Sequence, residues 1–123
     1  VADYRPAQTA SSKIKKDAES VMLELIRNPD ILARVAQSPK PPFTVGFAAE
    51  TDNLHDNAAA KLARKGCDWI VANDVSGRNG EAVFGSDSNS AMLITGNDCE
   101  NWPIMSKQAL AERLVDRIEA TFA

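Results

Sequence analysis

The pattern that most constrains this chain is a pair of short apolar runs with an amphipathic segment between them. Phe43-Thr44-Val45-Gly46-Phe47-Ala48-Ala49 comes first, then a segment over 53–65 with Leu54, Ala58, Ala59 and Leu62 at helical spacing, then a second apolar run over 68–73. Continuous runs this short suit strands buried on both faces, and Gly66 stands where a left-handed helix C-cap would fall. The order strand, helix, strand predicts a βαβ unit with parallel strands and a right-handed crossover. Ligands are then to be sought at the strand C-termini, near Ala49 and Asn73.

The rest of the chain is read around that unit. Residues 1–12 read as a strand end running into a loop, and 21–26 as extended. Asn28-Pro29-Asp30 is a helix-start signal: a capping side chain, a proline lacking the N–H that would be orphaned there, and a first-turn carboxylate. That helix is expected to run to about Gln37, where Pro39, Pro41 and Pro42 end it. Residues 74–89 read as a polar loop with a short arm around Val83-Phe84. Strands over 91–95 and 102–105 flank a hairpin turn at Gly96-Asn97-Asp98. Ser106 is placed to cap a last helix, whose Leu110, Leu114, Ile118 and Phe122 form one apolar stripe. The expectation is an α/β fold with a mixed sheet and flanking helices, without internal repeat or dividing linker.

Composition excludes several classes. With 44% hydrophobic and 25% charged residues the chain can build the core of a soluble globular domain, which rules out disorder and collagen-like structure. A net charge of -3 gives no global positive field for nucleic acid or anionic lipid. No apolar run approaches the ~20 residues of a membrane span. Cys67 and Cys99 form no CxxC pair, so neither a disulfide framework nor a zinc site is suggested, and a cytoplasmic setting is the simpler reading. His55, the single histidine, lies among Asn53, Asp56 and Asn57 and reads as a solvated helix-start residue. No secretory leader opens the chain and its first residue is Val, which points to a processed or truncated product.

Three basic groupings could carry chemistry. One is Lys13-Ile14-Lys15-Lys16. Another is Lys61 with Lys65, at i and i+4 on one helix face, and the third is Arg64 beside that pair. Like charges at that spacing repel by ~0.2–0.5 kcal/mol, which a bound phosphate would offset, although a solvated helix face accounts for the same spacing. The helix start at Asn28-Pro29-Asp30-Ile31-Leu32 offers unpaired backbone N–H groups to an anion, as most helix starts do. Neither GxGxxG nor GxxxxGK[ST] occurs, so a nicotinamide dehydrogenase or P-loop kinase is not supported.

These weak signals stand in a family order. Val1-Ala-Asp-Tyr-Arg-Pro-Ala, Lys13-Ile-Lys-Lys, Asn28-Pro-Asp-Ile-Leu, Val45-Gly-Phe-Ala-Ala-Glu-Thr, Lys61-Leu-Ala-Arg-Lys, Asp68-Trp-Ile-Val-Ala-Asn and the late Ser-Asp-Ser-Asn together resemble phosphopantothenate-cysteine ligase over almost the whole chain. In bacteria this ligase is usually the C-terminal half of a bifunctional flavoprotein of coenzyme A biosynthesis. The resemblance implies a Rossmann-like sheet and a CTP-dependent reaction with Mg²⁺. The carboxylate of 4'-phosphopantothenate is activated as an acyl-cytidylate, and the amine of L-cysteine then displaces CMP.

Carried over residue by residue, the resemblance makes Lys13 the lysine tied to turnover and nucleotide binding. It makes Asp3 an acidic CTP-site residue, and Pro29, Asp30, Ile31 and Leu32 the segment along the nucleotide. Phe47 becomes the aromatic beside CTP, where core packing is the competing reading of the residue alone. Lys61 and Lys65 become basic CTP-site positions. Asn73 is marked by its place at a strand end only, and no metal ligand is assigned. The resemblance also implies a homodimer and linkage to an FMN-dependent decarboxylase domain. The family's Gly-rich first half and its asparagine for the acyl-cytidylate do not occur here, so the chain is expected to be the later portion of a larger domain. A different class also fits: a non-catalytic nucleotide-binding or dimerisation module that keeps the ligase scaffold.

Overall fold

The computed structural model describes residues 2–12, 19–75 and 87–123. In chain order these form β1 (Tyr4–Pro6), β2 (Leu25–Arg27), α1 (Ile31–Ala36), β3 (Val45–Glu50), α2 (Leu54–Lys65), β4 (Trp69–Asp74), β5 (Ser88–Thr95), β6 (Cys99–Ser106) and α3 (Lys107–Phe122). No linker marks it in the sequence, yet the chain separates into two compact units, Val1–Ile31 and Leu32–Ala123.

In the first unit β1 and β2 pair antiparallel, with Tyr4 opposite Arg27 and Pro6 opposite Leu25. All six strand residues are exposed. The expected helix cap at Asn28 is corrected here. Its Oδ1 accepts from Arg5 Nη1 at 2.8 Å, and its Nδ2 donates to the Ala2 carbonyl at 2.8 Å. Both ends of the amide are thus occupied in closing the β1–β2 pair; α1 starts at Ile31 and ends at Ala36, next to the expected Gln37, whose N–H still donates to the Ala33 carbonyl at 3.0 Å. The extended run read over 21–26 is also trimmed. Only Leu25 and Ile26 of it enter a strand, since β1 offers three residues to pair with.

The second unit is built on a sheet of order β3-β4-β5-β6. The βαβ reading holds: β3 lies parallel to β4, with Val45 opposite Trp69 and Ala49 opposite Asn73. Asp68 and Thr44 tie the beginnings of these strands together. Asp68 Oδ2 accepts from Thr44 N at 2.7 Å and from Thr44 Oγ1 at 3.0 Å. Gly66 closes α2 in the left-handed region at φ 69°, its N–H donating to the Leu62 carbonyl. β5 and β6 continue the sheet antiparallel. Their turn at 96–98 is held by Thr95, whose Oγ1 accepts from Asp98 N at 3.0 Å. β5 starts at Ser88, inside the stretch read as loop, while the arm at Val83-Phe84 lies outside the described residues. Pro103 has no N–H for the ladder, and the β5–β6 register shifts around it, between the Asn89–Met105 and Ala91–Trp102 pairs.

Helices cover both faces. On one side α2 packs Ala58 against Ala48, Ile70, Ala72 and Ile94, with Leu32 and Ala36 of α1 at the margin. On the other, α3 lays Leu110, Leu114 and Ile118 over Trp69, Val71, Leu93 and Trp102. Full burial of Ile70, Val71 and Leu93 contributes ~1.5–3 kcal/mol each. Ser106 caps α3, its hydroxyl accepting from Ala109 N at 3.1 Å. Phe122 ends the stripe edge-on to Phe43, with ring centroids 5.2 Å apart. β4 is buried on both faces as expected, but β3 is not. Among the described residues it is an edge strand of this sheet, and α3 packs over β4, β5 and β6, so the α3-side row of β3 emerges from cover at Phe47.

Candidate functional site at the C-terminal end of β3

Strand alternation decides what β3 presents. Gly46, Ala48 and Glu50 face α2, while Val45, Phe47 and Ala49 face the α3 side. Phe47 is 63% exposed, so core packing does not explain it. An aromatic ring left in water on an edge strand is a surface that a flat ligand or a partner could cover.

On the opposite face the strand ends in an ion pair. Glu50 sits with its side chain 12% exposed, and its Oε1 lies 2.6 Å from Lys61 Nζ. Oε1 is shut off from solvent, so the ion pair with Lys61 is what compensates the burial of its charge. Lys61 lies in the body of α2, and helix side chains lean toward the N-terminus, here the end of α2 next to the C-terminal edge of β3. The ammonium is thereby carried to the strand end. The like-charge repulsion expected between Lys61 and Lys65 is offset from within the protein.

Lys65 is placed differently. It is the last residue of α2, and Gln37 Nε2 donates to its carbonyl at 3.3 Å. Its charge acts on the Cys67 thiol just before β4, opposing the burial that pushes that thiol above its ordinary value. Its backbone is thus at the start of the parallel strands, whereas Lys61 reaches their far end. Asn73 is half-buried in β4 between Ala49 and Ala91. Leu32 is a packing residue, its Cδ2 only 2.7 Å from where a Cβ on Gly46 would stand. Ile31 is exposed at the start of α1. Pro29 and Asp30 precede that helix, which at six residues has little terminal dipole to offer. In the first unit the Asp3 carbonyl accepts from Asn28 N at 2.8 Å. Lys13 lies outside the described residues.

Phe47 and Lys61 are therefore on opposite sheet faces, and a ligand touching both must pass around the outer edge or the end of β3. Glu50 was not singled out by sequence reasoning. The available signal was its even spacing from Gly46 and Ala48, which puts it on the helix-facing row. His55 is exposed near the start of α2, its Nδ1 3.0 Å from Asp56 Oδ1. The two cysteines are unbridged. Among the described residues no three His, Cys, Asp or Glu side chains gather as a metal site, and no helix is long and apolar enough to cross a membrane.

The family model of the DNA/pantothenate metabolism flavoprotein C-terminal domain matches residues 1–122. The chain belongs to that family. It is 46% identical over 119 residues to the coenzyme A biosynthesis bifunctional protein CoaBC of Haemophilus influenzae, covering 96% of this chain and 29% of that protein. It is 44% identical over 130 residues to CoaBC of Mycobacterium bovis, with 96% and 30% covered. The chain thus spans under a third of the length of these relatives. Among solved structures, a crystal structure of the C-terminal domain of CoaBC superimposes with a TM-score of 0.73 at 28% identity, over 99% of this chain and 50% of that one. The DNA/pantothenate metabolism flavoprotein from Streptococcus pneumoniae shares the fold, with a TM-score of 0.73 at 24% identity, over 98% of this chain and 60% of that one.

Proposed function

We propose that the chain is the later part of a phosphopantothenate-cysteine ligase domain of coenzyme A biosynthesis. CTP activates the carboxylate of 4'-phosphopantothenate, pyrophosphate leaves, and the amine of L-cysteine attacks the acyl-cytidylate to release CMP. The observation that carries this reading is the match to CoaBC proteins across nearly the whole chain. The exposed Phe47 and the lysine brought to the end of β3 support it.

In this reading Phe47 lies against the nucleoside and Lys61 contributes a point charge to the phosphates. Lys13 is assigned to the charge that develops on the α-phosphate, where a preorganised cation is worth ~3–4 kcal/mol by analogy with oxyanion-hole donors. Asp3, residues 29–32 and Lys65 are CTP contacts only as the resemblance implies: Lys65 stands at the other end of the parallel strands from Lys61, and Leu32 packs against the core. Mg²⁺ held mainly through nucleotide phosphates needs no protein cage, and so arrives with CTP. Linkage to a flavin-dependent decarboxylase domain follows the bifunctional relatives. A homodimer is supported by the apolar surface of the first unit, where Tyr4, Val21, Leu23 and Leu25 are exposed.

The test supplies CTP, Mg²⁺, 4'-phosphopantothenate and cysteine, and follows CMP. The 123-residue chain is expected to bind CTP weakly and release no CMP. Adding the preceding half of the ligase domain should restore turnover, because ~1 Å of misplacement costs about a hundredfold. Phe47→Ala should weaken CTP binding without unfolding the chain. CTP binding that never leads to CMP, even with that half present, would favour the non-catalytic module. No CTP binding in either form would refute the nucleotide site.

A further inference from the structure

We infer that Glu50 is a positioning residue for nucleotide binding: it holds the Lys61 ammonium at the C-terminal end of β3, ready for a phosphate. The inference rests on the CTP-site reading of Lys61 and adds a residue that reading does not contain. Three features carry it. The Glu50 backbone is fixed, since its carbonyl accepts from Val75 N at 2.9 Å, beside the β4 pairing of Glu50 with Asp74. Its side chain belongs to the row that faces α2, and it is the last member of that row. Its Oε1 is sealed from water and lies 2.6 Å from Lys61 Nζ.

Together these features hold the ammonium in place through the donor it directs at Glu50, while its remaining N–H donors can turn toward a ligand. A lysine on an exposed helix face would otherwise lose the freedom of a long side chain on binding a phosphate. Here that ordering precedes the ligand. A carboxylate so close to a phosphate also repels it. Lys61 stands between the two anions in this arrangement, and its orientation is expected to dominate.

The experiment uses the chain together with the preceding half of the ligase domain, in wild-type, Glu50→Gln, Glu50→Asp, Lys61→Ala and Glu50→Gln/Lys61→Ala forms. CTP with Mg²⁺ is titrated calorimetrically, and the lysine NH₃⁺ signals are recorded by ¹⁵N NMR without nucleotide. A persistent Lys61 signal is expected in the wild type and should vanish in Glu50→Gln, because an unpaired ammonium exchanges its protons with water. Glu50→Gln should weaken CTP about tenfold, the scale of the rotamer freedom a long lysine side chain loses on being ordered. Glu50→Asp should recover part of that loss, and the double variant should bind no worse than Lys61→Ala.

Unchanged or tighter CTP binding in Glu50→Gln would overturn the positioning role. So would a full additive loss in the double variant. A wild type that binds no CTP would instead overturn the nucleotide reading itself, and the positioning role with it. The Lys61 signal reports the ion pair separately, so the two failures are told apart.

Discussion

Replacing Asp68 should expose how much of the βαβ unit depends on one carboxylate. In the folded chain its Oδ2 takes two donors from Thr44, the backbone N–H at 2.7 Å and the hydroxyl at 3.0 Å. Thr44 is only 7% exposed, so in Asp68→Ala its N–H loses its acceptor where water has poor access. A hydrogen bond to an ionised acceptor is worth ~1.5–3 kcal/mol. The hydroxyl can rotate to another acceptor and adds little. Asp68 itself is exposed, which moves the expected loss toward the middle of that range, about 2 kcal/mol. Asp68→Asn keeps an acceptor oxygen and should cost about 1 kcal/mol, as a neutral bond does. Urea unfolding followed by the fluorescence of Trp69, the next residue, gives the comparison. With a slope of ~1–3 kcal/mol/M, Asp68→Ala should lower the midpoint by about 1 M at unchanged slope. A loss within about 0.5 kcal/mol for Asp68→Ala, the size of an ordinary surface substitution, would refute the clamp. Equal losses for Asn and Ala would refute its dependence on an acceptor.

Burial raises the Cys67 thiol above its ordinary value of 9.0, so the folded chain keeps that proton where the unfolded chain loses it. Stability should therefore be intact below about pH 9 and fall as the pH rises further, which urea midpoints from pH 7 to 10 would check. A Cys67→Ala variant should flatten that fall, though Cys99, raised by burial and by Asp98 and Glu100, contributes with the same sign. Gly46→Val should destabilise by ~1–3 kcal/mol, since even the added Cβ lies 2.7 Å from Leu32 Cδ2. Leu32→Ala in the same chain should recover part of the loss in thermal denaturation.

The parts of the fold legible in the sequence are those where local and global signals agree. The βαβ unit, the left-handed Gly66, the 96–98 turn and the Ser106 cap each have a nearby pattern that tertiary contacts reinforce. Asn28 was not legible as a hairpin closer. Its cap signal is local, whereas Arg5 and Ala2, which take its side chain, stand more than twenty residues away in sequence. The exposure of Phe47 was hidden because an apolar run does not reveal which neighbour covers it. That depends on where α3 lands, over β4, β5 and β6. In the candidate site the spacing of Lys61 and Lys65 was visible, but not that the two serve opposite ends of the parallel strands. Nor was the pairing of Lys61 with Glu50, since side chains eleven residues apart meet only after the crossover has folded α2 back.

The position of β3 at the sheet edge governs how the C-terminal end of that strand behaves in time. β5 and β6 meet across a three-residue turn, and β4 gains ladders on both sides, whereas β3 has β4 as its sheet partner among the described residues. Its pairing also forms across the whole of α2, which makes it the slower contact to establish and the easier one to release. Amide protons on β3 should therefore exchange with solvent through smaller openings than those of β4. The end of the strand that carries Glu50 and presents Phe47 sits where the sheet is least cooperative. A ligand wrapped around that edge would act as the missing neighbour, and its grip would register first as slowed exchange along β3.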